Sequence, residues 1–389
     1  MNKKLVAVAV AGAFALPMAA QAQTANVTLY GRANLDMEFV NGKILNGGPQ
    51  ATTCVNVNTC NTTNPTVFRV STNSSRFGLR GTESLGGGLS AIFQLENSVP
   101  WDAGGGTLGG RETFVGLQGS WGTFKMGRFL APYDDIHPIF GNVPTLTTTL
   151  LSTASLWAQG FAGAQVNGGF DDRFSNSIRY DSPTVSGFNG AVQYSTGEDT
   201  RHSGGISLGG FYNNGPIQVG VAYEKHKEIR AANLDDDAFS VAGGYNFGMF
   251  RIGAVYERLK YETPSGDLKR DYWSVGGTVN LGPGQLYLNY GDASKGKGSA
   301  ADGTRVAGLA KGSNTDSRDY SISYTYPLSK RTLTYVGYHR IDNKENASYT
   351  FNINAYPSTT NCSAASSSQT CVLAGTKPQG VVFGLVHFF

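Results

Sequence analysis

The chain has 389 residues, in which 31 lysines and arginines are nearly balanced by 28 aspartates and glutamates, and charged residues make up 15% of the sequence. Soluble domains typically contain about 25% charged residues, so the composition is unusual for a soluble enzyme. Glycine occurs 52 times, tyrosine 19 times and phenylalanine 21 times, which favours strands and turns over helices. A net charge of +3 lacks the basic excess that nucleic-acid binding requires, and we expect no nucleic-acid partner.

The first 22 residues have the pattern of a secretory signal peptide. Lys3 and Lys4 form its positive start, Leu5–Leu16 is apolar, and Ala20-Gln21-Ala22 supplies a cleavage site of small residues. We expect cleavage there, leaving residues 23–389 as one mature domain. Loss of the two lysines lowers the basic count from 31 to 29 against 28 acids, so the mature net charge is +1. No later segment approaches the ~18 unbroken apolar residues of a spanning helix, which excludes a helical membrane protein.

The first element of the mature chain, Asn26–Phe39, alternates with a period of two. Its odd positions are apolar or small and its even positions are polar: Val27, Leu29, Gly31, Ala33, Leu35, Met37 and Phe39 against Thr28, Tyr30, Arg32, Asn34, Asp36 and Glu38. Successive side chains of a strand point to opposite faces, whereas a helix would scatter these residues around its axis. The pattern therefore predicts a long β-strand with one apolar and one polar face.

The same alternation recurs to the end of the chain, with connections that are alternately short and long. The short ones contain Gly, Asn and Pro, and the long ones cover roughly 41–66, 100–110, 131–172, 227–237, 293–317 and 344–378. Between them we count sixteen segments, many of 9–14 residues, which is enough for a tilted strand to cross a bilayer. We predict an all-β fold, a 16-stranded antiparallel transmembrane β-barrel, because a closed sheet satisfies every backbone group in lipid. The alternative is a secreted β-sandwich or propeller, whose strands average about 5–6 residues.

Four cysteines occur as two close pairs, Cys54 with Cys60 and Cys362 with Cys371. An even number in an exported protein predicts disulfides, since zinc usually takes closer CxxC spacing or neighbouring histidines. Pairing within each segment is the simpler arrangement, and a cross-link between the two segments stays open.

Several short motifs, in the same order along the chain, resemble the general trimeric porins of Gram-negative outer membranes. Leu29-Tyr30-Gly31-Arg32 is similar to the first strand of that family, and Ser75-Arg76-Phe77-Gly78-Leu79-Arg80-Gly81-Thr82-Glu83 to the second. Phe114-Val115-Gly116-Leu117, Trp121-Gly122-Thr123-Phe124 and Met126-Gly127-Arg128 resemble the fourth and fifth strands, and a closing strand that ends on Phe389 completes the likeness. The resemblance covers the whole mature chain. It implies an outer-membrane location, reached through the periplasm, and a homotrimer surrounded by lipid and lipopolysaccharide.

In such porins the long loop after the fifth strand folds into the barrel and narrows it. Here that loop would be Ala131–Asp172, whose apolar residues speak against an external disordered segment. The resemblance places a ladder of basic side chains on the opposite wall, here Arg32, Arg76, Arg128 and Arg173, with Arg80 on the face of Arg76. Asp134 and Asp135 would lie early in the loop, while Ile139 occupies a position where the family often has a carboxylate.

Strand parity gives an independent argument for three of these arginines. Each of the three shares its strand face with polar residues at every second position. These are Thr28 and Asn34 for Arg32, Thr72, Ser74 and Arg80 for Arg76, and Ser175, Ser177 and Arg179 for Arg173. Arg128 shares its parity with Phe124 and Met126, so a lumen position would require a bulge near Gly127.

These features predict a water-filled channel for passive diffusion of small hydrophilic solutes and ions, with a modest anion preference. Inward acids such as Asp36, Glu96 and Glu112 could instead neutralise the arginines. A substrate-specific anion channel is the alternative within this class, and a closed-barrel adhesin is one from another class. The five histidines follow no metal-ligand or catalytic-triad pattern, so we expect no enzyme activity, no cofactor and no metal.

Overall fold

The computed structural model of the protein describes residues 26–44, 66–141, 149–159, 169–198, 203–352, 354, 356 and 374–389. The predicted signal peptide (1–22) and all four cysteines, Cys54, Cys60, Cys362 and Cys371, lie outside these ranges. The predicted disulfides are therefore not described by the structure.

Sixteen antiparallel strands, one of them interrupted, form a closed barrel. In chain order they are β1 (Asn26–Ile44), β2 (Val67–Thr72 and Arg76–Gly86), β3 (Leu89–Ser98), β4 (Thr113–Gly119), β5 (Gly122–Leu130), β6 (Arg173–Asp181), β7 (Phe188–Thr196), β8 (Gly204–Asn214), β9 (Ile217–Ala231), β10 (Leu234–Asn246), β11 (Phe250–Thr263), β12 (Gly266–Leu281), β13 (Gly284–Ala293), β14 (Ser317–Pro327), β15 (Thr332–Asn343) and β16 (Thr376–Phe388). Each strand pairs with the next along the chain, and β16 pairs with β1. The predicted fold class and strand number are confirmed.

The seam between the chain's last and first strands closes the sheet. Gly31 donates its N–H to the carbonyl of Phe389 at 2.9 Å, and Phe389 donates back at 3.1 Å. A Cβ added at position 31 would lie 2.2 Å from the ring of Phe389 and 2.9 Å from the carbonyl oxygen of Arg76, so glycine lets the two strands and the terminal ring pack closely here. A closed barrel has no free strand edge, which removes unpaired backbone groups from lipid.

The two faces of the sheet have opposite character. Outward side chains such as Leu29 and Phe39 are 61% and 56% exposed, whereas the inward Asn34 and Glu38 are fully buried. A soluble sandwich buries its apolar face, so this inverted arrangement is the one that a lipid-facing barrel needs. No helix in the described ranges is long and apolar enough to cross a membrane.

Two details of the predicted strands are wrong. The segment 227–237 is not a long loop, because β9 and β10 continue as paired strands up to a tight turn between Ala231 and Leu234. In β2 the pairing with β1 shifts by one residue across Asn73–Ser75, where Ser74 has a φ of 51°. Thr72 consequently lies opposite the outward Leu35 and does not share the face of Arg76 as the parity argument expected.

Candidate functional site

The polar side chains of β1 form one part of the inner wall. Their arginine, Arg32, is bound by backbone carbonyls at the interruption of β2. Arg32, which is 3% exposed, donates through Nη2 to the carbonyls of Asn73 and Ser74, both at 3.1 Å. A regular strand would direct these carbonyls to its neighbour, so the break in β2 creates the acceptors that fix the guanidinium. Further along β1, Glu38 forms an ion pair with Arg69.

Glu96 on β3 is the centre of the basic cluster. Its carboxylate lies 2.5 Å from Arg111 Nε and 3.5 Å from Arg76 Nε, and it accepts a hydrogen bond from Tyr30 at 3.0 Å. One acid therefore serves two arginines, which leaves the cluster with an excess of positive charge. Arg80 lies further along β2, where its guanidinium stacks 4.9 Å above the Tyr30 ring and remains exposed.

Arg111 is a wall residue that the sequence reasoning missed. It precedes β4 by two positions, so the alternation within that strand says nothing about its direction. Its exposure is 8%. Burial, together with the nearby Arg173 and Arg76, lowers the pKa of its guanidinium to about 10, so it still carries its charge at neutral pH. The sequence signal that could have revealed Arg111 is its position shortly before the strand that contains the family motif Phe114-Val115-Gly116-Leu117.

Arg173 and Arg128 meet at the start of β6 and lie in the same register, because Arg173 pairs with Leu130, two residues beyond Arg128 on β5. Arg128 Nη1 donates to the carbonyl of Arg173 at 3.1 Å and to Ser175 Oγ at 2.6 Å. The register between β4 and β5 is continuous, so Arg128 lies opposite Thr113, in line with the outward Met126 opposite Val115. The extra residue lies in β6, around Ser175, since Gly127 pairs with Ser177 and Phe129 with Phe174. The extra residue is thus on the partner strand, and it separates Arg173 from the parity of Ser177 and Arg179, so the parity argument for Arg173 is wrong. The lumen position of Arg128 stays a prediction.

The two loop acids do not face the basic cluster as free carboxylates. Asp135 forms an ion pair with Arg179 of β6 at 2.5 Å, and the same guanidinium also holds Asp181 at 2.7 Å. Burial raises the pKa of Asp134, and the neighbouring Asp171 carboxyl raises it further. These two acids therefore contribute less negative charge to the lumen than their number suggests.

The loop between β5 and β6 is anchored to the inner wall by a buried ion pair. Glu257 on β11 and Arg270 on β12 are both fully buried and lie 2.5 Å apart. Glu257 also accepts hydrogen bonds from two loop groups, the Tyr133 hydroxyl at 2.8 Å and the Ala158 N–H at 2.7 Å. An uncompensated carboxylate could not remain in this position, so the wall arginine and the loop donors require one another.

Further contacts extend this attachment along the same wall. The short helix α1 (His137–Phe140) is held by Arg251, which donates to the carbonyl of Pro138 at 3.0 Å. Trp157 is fully buried and donates to Ser240 Oγ at 3.2 Å, and His339 hydrogen-bonds the carbonyl of Leu150. Ile139 is buried against the wall and does not project into the open lumen.

The described part of the loop packs mainly against one side of the barrel. It contacts β9–β13 and β15, and it also reaches β6 through the Asp135–Arg179 ion pair and β8 through Ser207, which accepts from the Tyr133 N–H at 3.1 Å. The arginines occupy β1, β2 and the ends next to β4 and β6, and β11, at the centre of the loop contacts, lies across the ring of sixteen strands from β3, the strand of Glu96. Among the described residues no cluster of His, Cys, Asp and Glu is arranged to hold a metal ion. What the arrangement offers is a polar passage with fixed positive charge on one side.

Comparison with known proteins gives a consistent result. A model of the Gram-negative porins matches residues 7–346. Outer membrane porin protein 32 of Delftia acidovorans is 27% identical over 400 residues, covering all of both chains. Major outer membrane protein P.IA of Neisseria meningitidis serogroup C is 34% identical over 197 residues, covering 50% of this chain and 46% of its own.

Among solved structures, the anion-selective porin from Comamonas acidovorans is similar with a TM-score of 0.69 and 25% identity, covering 94% of this chain and 100% of its own. The trimer form of OmpT from Vibrio cholerae has a TM-score of 0.63 and 15% identity, with 94% and 100% covered, and supports the fold alone.

Proposed function

Since this chain belongs to the family of Gram-negative porins and is an outer-membrane porin, we propose that its lumen carries small hydrophilic solutes and ions by passive diffusion, with a modest preference for anions. The observation that carries the anion preference is the shared acid: Glu96 is the ion-pair partner of both Arg76 and Arg111. Arg32 adds a third positive charge, and its guanidinium donates to the carbonyls of Asn73 and Ser74. Fixed charges of one sign raise the local concentration of the opposite ion in a narrow, water-poor passage.

The loop attachment supports the idea that the passage is narrow. Its described residues are anchored across the lumen from the arginines, through Glu257, Arg251 and Ser240. We propose that Ala131–Asp172 is the constriction loop and that solutes pass between it and Arg32, Arg76, Arg111 and Arg173. The similar porin from Comamonas acidovorans is anion-selective, which agrees with this direction of selectivity.

Three further features of the proposal follow from the family and the sequence. Residues 1–22 serve as a cleaved signal peptide, and 23–389 form the mature barrel. The protein assembles as a homotrimer in a membrane of lipid and lipopolysaccharide, as its resemblance to the trimeric porins implies. No chemical reaction and no cofactor is part of the proposed activity.

Single-channel recording in planar bilayers tests the proposed transport directly. We expect stepwise insertion events whose conductance rises in proportion to the KCl concentration, because a diffusion pore has no saturable site. Conductance that saturates, or that a specific organic anion or phosphate blocks, would instead favour a substrate-specific channel. A complete lack of steps from correctly folded, heat-modifiable protein would contradict the pore and favour a closed barrel.

A further inference from the structure

Three glycines on the inner face of neighbouring strands lie directly beneath the loop helix α1. They are Gly220 on β9, Gly244 on β10 and Gly253 on β11, and Gly244 pairs with Gly253 across the two strands. None of the three has a positive φ, so the backbone conformation does not require glycine at these positions. Glycine inside a strand often marks a place where another backbone approaches closely. Together these three residues form what we call the loop seat.

The backbone of α1 lies directly on Gly253 and Gly244. A Cβ added to Gly253 would lie 2.5 Å from the carbonyl oxygen of Ile139 and 2.7 Å from the Cα atom of Phe140. A Cβ added to Gly244 would lie 2.9 Å from the same oxygen. Ordinary contacts of a Cβ atom lie at 3.4–4 Å, so neither position has room for a side chain. The two glycines therefore let the backbone of the loop contact the backbone of the wall.

The third glycine accommodates a side chain of the loop. A Cβ added to Gly220 would lie 2.7 Å from Cδ1 of Ile139 and 3.1 Å from Cγ1 of Ile136. Both isoleucines are buried. Gly220 therefore provides the space that the side chain of Ile139 fills.

Polar contacts fix the same helix end on the wall. Arg251 donates to the carbonyls of Pro138 and Ile139 and to Gln218 Oε1. The Tyr287 hydroxyl donates to the carbonyl of Phe140 at 3.3 Å. The last carbonyls of a helix have no partner within the helix, and here side chains of the wall supply one. These donors hold the helix end in place, while the loop seat determines how closely it approaches the wall.

We propose that Gly220, Gly244 and Gly253 are specificity-determining residues, because the depth of the loop seat sets how far the loop projects into the passage and thus the largest solute that passes. The inference rests on the proposed role of residues 131–172 as the constriction loop. Since β11 lies across the ring from β3, a loop that moves away from β11 narrows the passage towards Glu96 and its arginines. A Cβ at position 253 would have to displace the Ile139 oxygen by about 1 Å to restore an ordinary contact.

Liposome-swelling rates with glucose and sucrose test the loop seat, because neutral sugars report the width of the passage without its charge. The matched control is Gly243→Ala, next to Gly244 on the same strand, where an added Cβ has nothing within 4 Å. Permeation depends steeply on pore diameter, so we expect the rate for sucrose relative to glucose to fall about twofold in Gly253→Ala. The fall should be smaller in Gly244→Ala and absent in Gly243→Ala.

A paired substitution separates the loop seat from a general weakening of the strands. Gly220→Ala brings a Cβ against Cδ1 of Ile139, and Ile139→Val removes that atom. We expect Gly220→Ala to slow sucrose slightly and the double variant to recover the rate of Ile139→Val alone. Gly253→Ala should not be rescued by Ile139→Val, because its contact is with a backbone oxygen.

Heat-modifiable migration on a denaturing gel shows which variants have folded, and Gly244→Ala, with the smaller overlap, replaces Gly253→Ala if the latter does not fold. Wild-type sugar ratios in the folded seat variants would overturn the proposal. A relative rate for sucrose above that of the wild type would also overturn it, because the loop would then have left the wall. A wild-type protein without stepwise conductance would refute the proposed transport, whereas a conducting wild type with unchanged seat variants would refute the loop seat alone.

Discussion

Removal of one hydroxyl group from the loop anchor should loosen the loop without disturbing its packing. Tyr133 is fully buried, and its ring stacks on Trp157 with centroids 5.5 Å apart. Its hydroxyl donates to Glu257 at 2.8 Å. In Tyr133→Phe the stacking surface is retained, and only the hydrogen bond to a buried carboxylate is lost.

The size of the effect follows from the charge of the acceptor. A hydrogen bond to a charged group contributes about 1.5–3 kcal/mol, more than a neutral one. Glu257 keeps its ion pair with Arg270 and its bond from Ala158, so the barrel itself should remain folded. Since 1.36 kcal/mol corresponds to a factor of ten, the ratio of docked to undocked loop should fall roughly 10- to 100-fold.

Single-channel current noise measures this ratio. We expect Tyr133→Phe to show more frequent conductance fluctuations than the wild type at the same voltage. Tyr245→Phe is the control, because Tyr245 is an outward residue that is 42% exposed. If the current noise of Tyr133→Phe were no greater than that of the control, the hydrogen bond to Glu257 would not hold the loop, and this reasoning would be refuted.

Three other predictions concern the charge cluster, the pH response and the contact between β4 and β5 at Gly127. Glu96→Gln removes the acid paired with Arg111, so the channel should become more anion-selective in reversal-potential measurements, and a shift towards cations would refute the shared-acid argument. Burial lowers the pKa of His137 to about 4 from its usual 6.5, so an undocked loop binds a proton that the docked loop does not. The contribution of His137 to loop docking should therefore weaken by about 3 kcal/mol as the pH falls from 6.5 to 4, whereas buried Asp134 contributes with the opposite sign, so the measurement is the rise in current noise of the wild type relative to His137→Gln. Gly127 has a φ of 145°, and an added Cβ would lie 2.2 Å from the carbonyl oxygen of Thr113. Gly127→Ala should therefore lower the yield of heat-modifiable barrel. A wild-type yield would show that the position tolerates a side chain.

The barrel could be predicted from the sequence because its strongest signal is local. A period of two over Asn26–Phe39 needs no knowledge of distant residues, and the inverted polarity of the faces follows from lipid as the solvent. The same locality explains the errors. Parity resets at every bulge, so Thr72 was assigned to the wrong face across the break at Asn73–Ser75, and Arg173 was wrongly aligned with Ser177 and Arg179 across the bulge around Ser175.

The candidate site was less predictable because its contacts connect distant parts of the chain. Arg111 lies just outside a strand, where alternation gives no direction. Glu257 and Arg270 are an acid and a base on separate strands. Only the closed barrel brings Glu257 to Tyr133 and Ala158, which precede it by 124 and 99 residues along the chain. No local pattern distinguishes such an anchor from an ordinary polar residue on an inner wall.

The reversal potential in a tenfold KCl gradient tests the central claim, a net positive passage, most directly. Potassium and chloride diffuse at nearly equal rates in water, so the sign of the potential reports the charge of the passage. We predict the sign of preferential chloride permeation, with a smaller potential in Arg76→Gln combined with Arg111→Gln, because these guanidiniums share the single acid Glu96. A potential of the opposite sign in the wild-type channel would contradict the account.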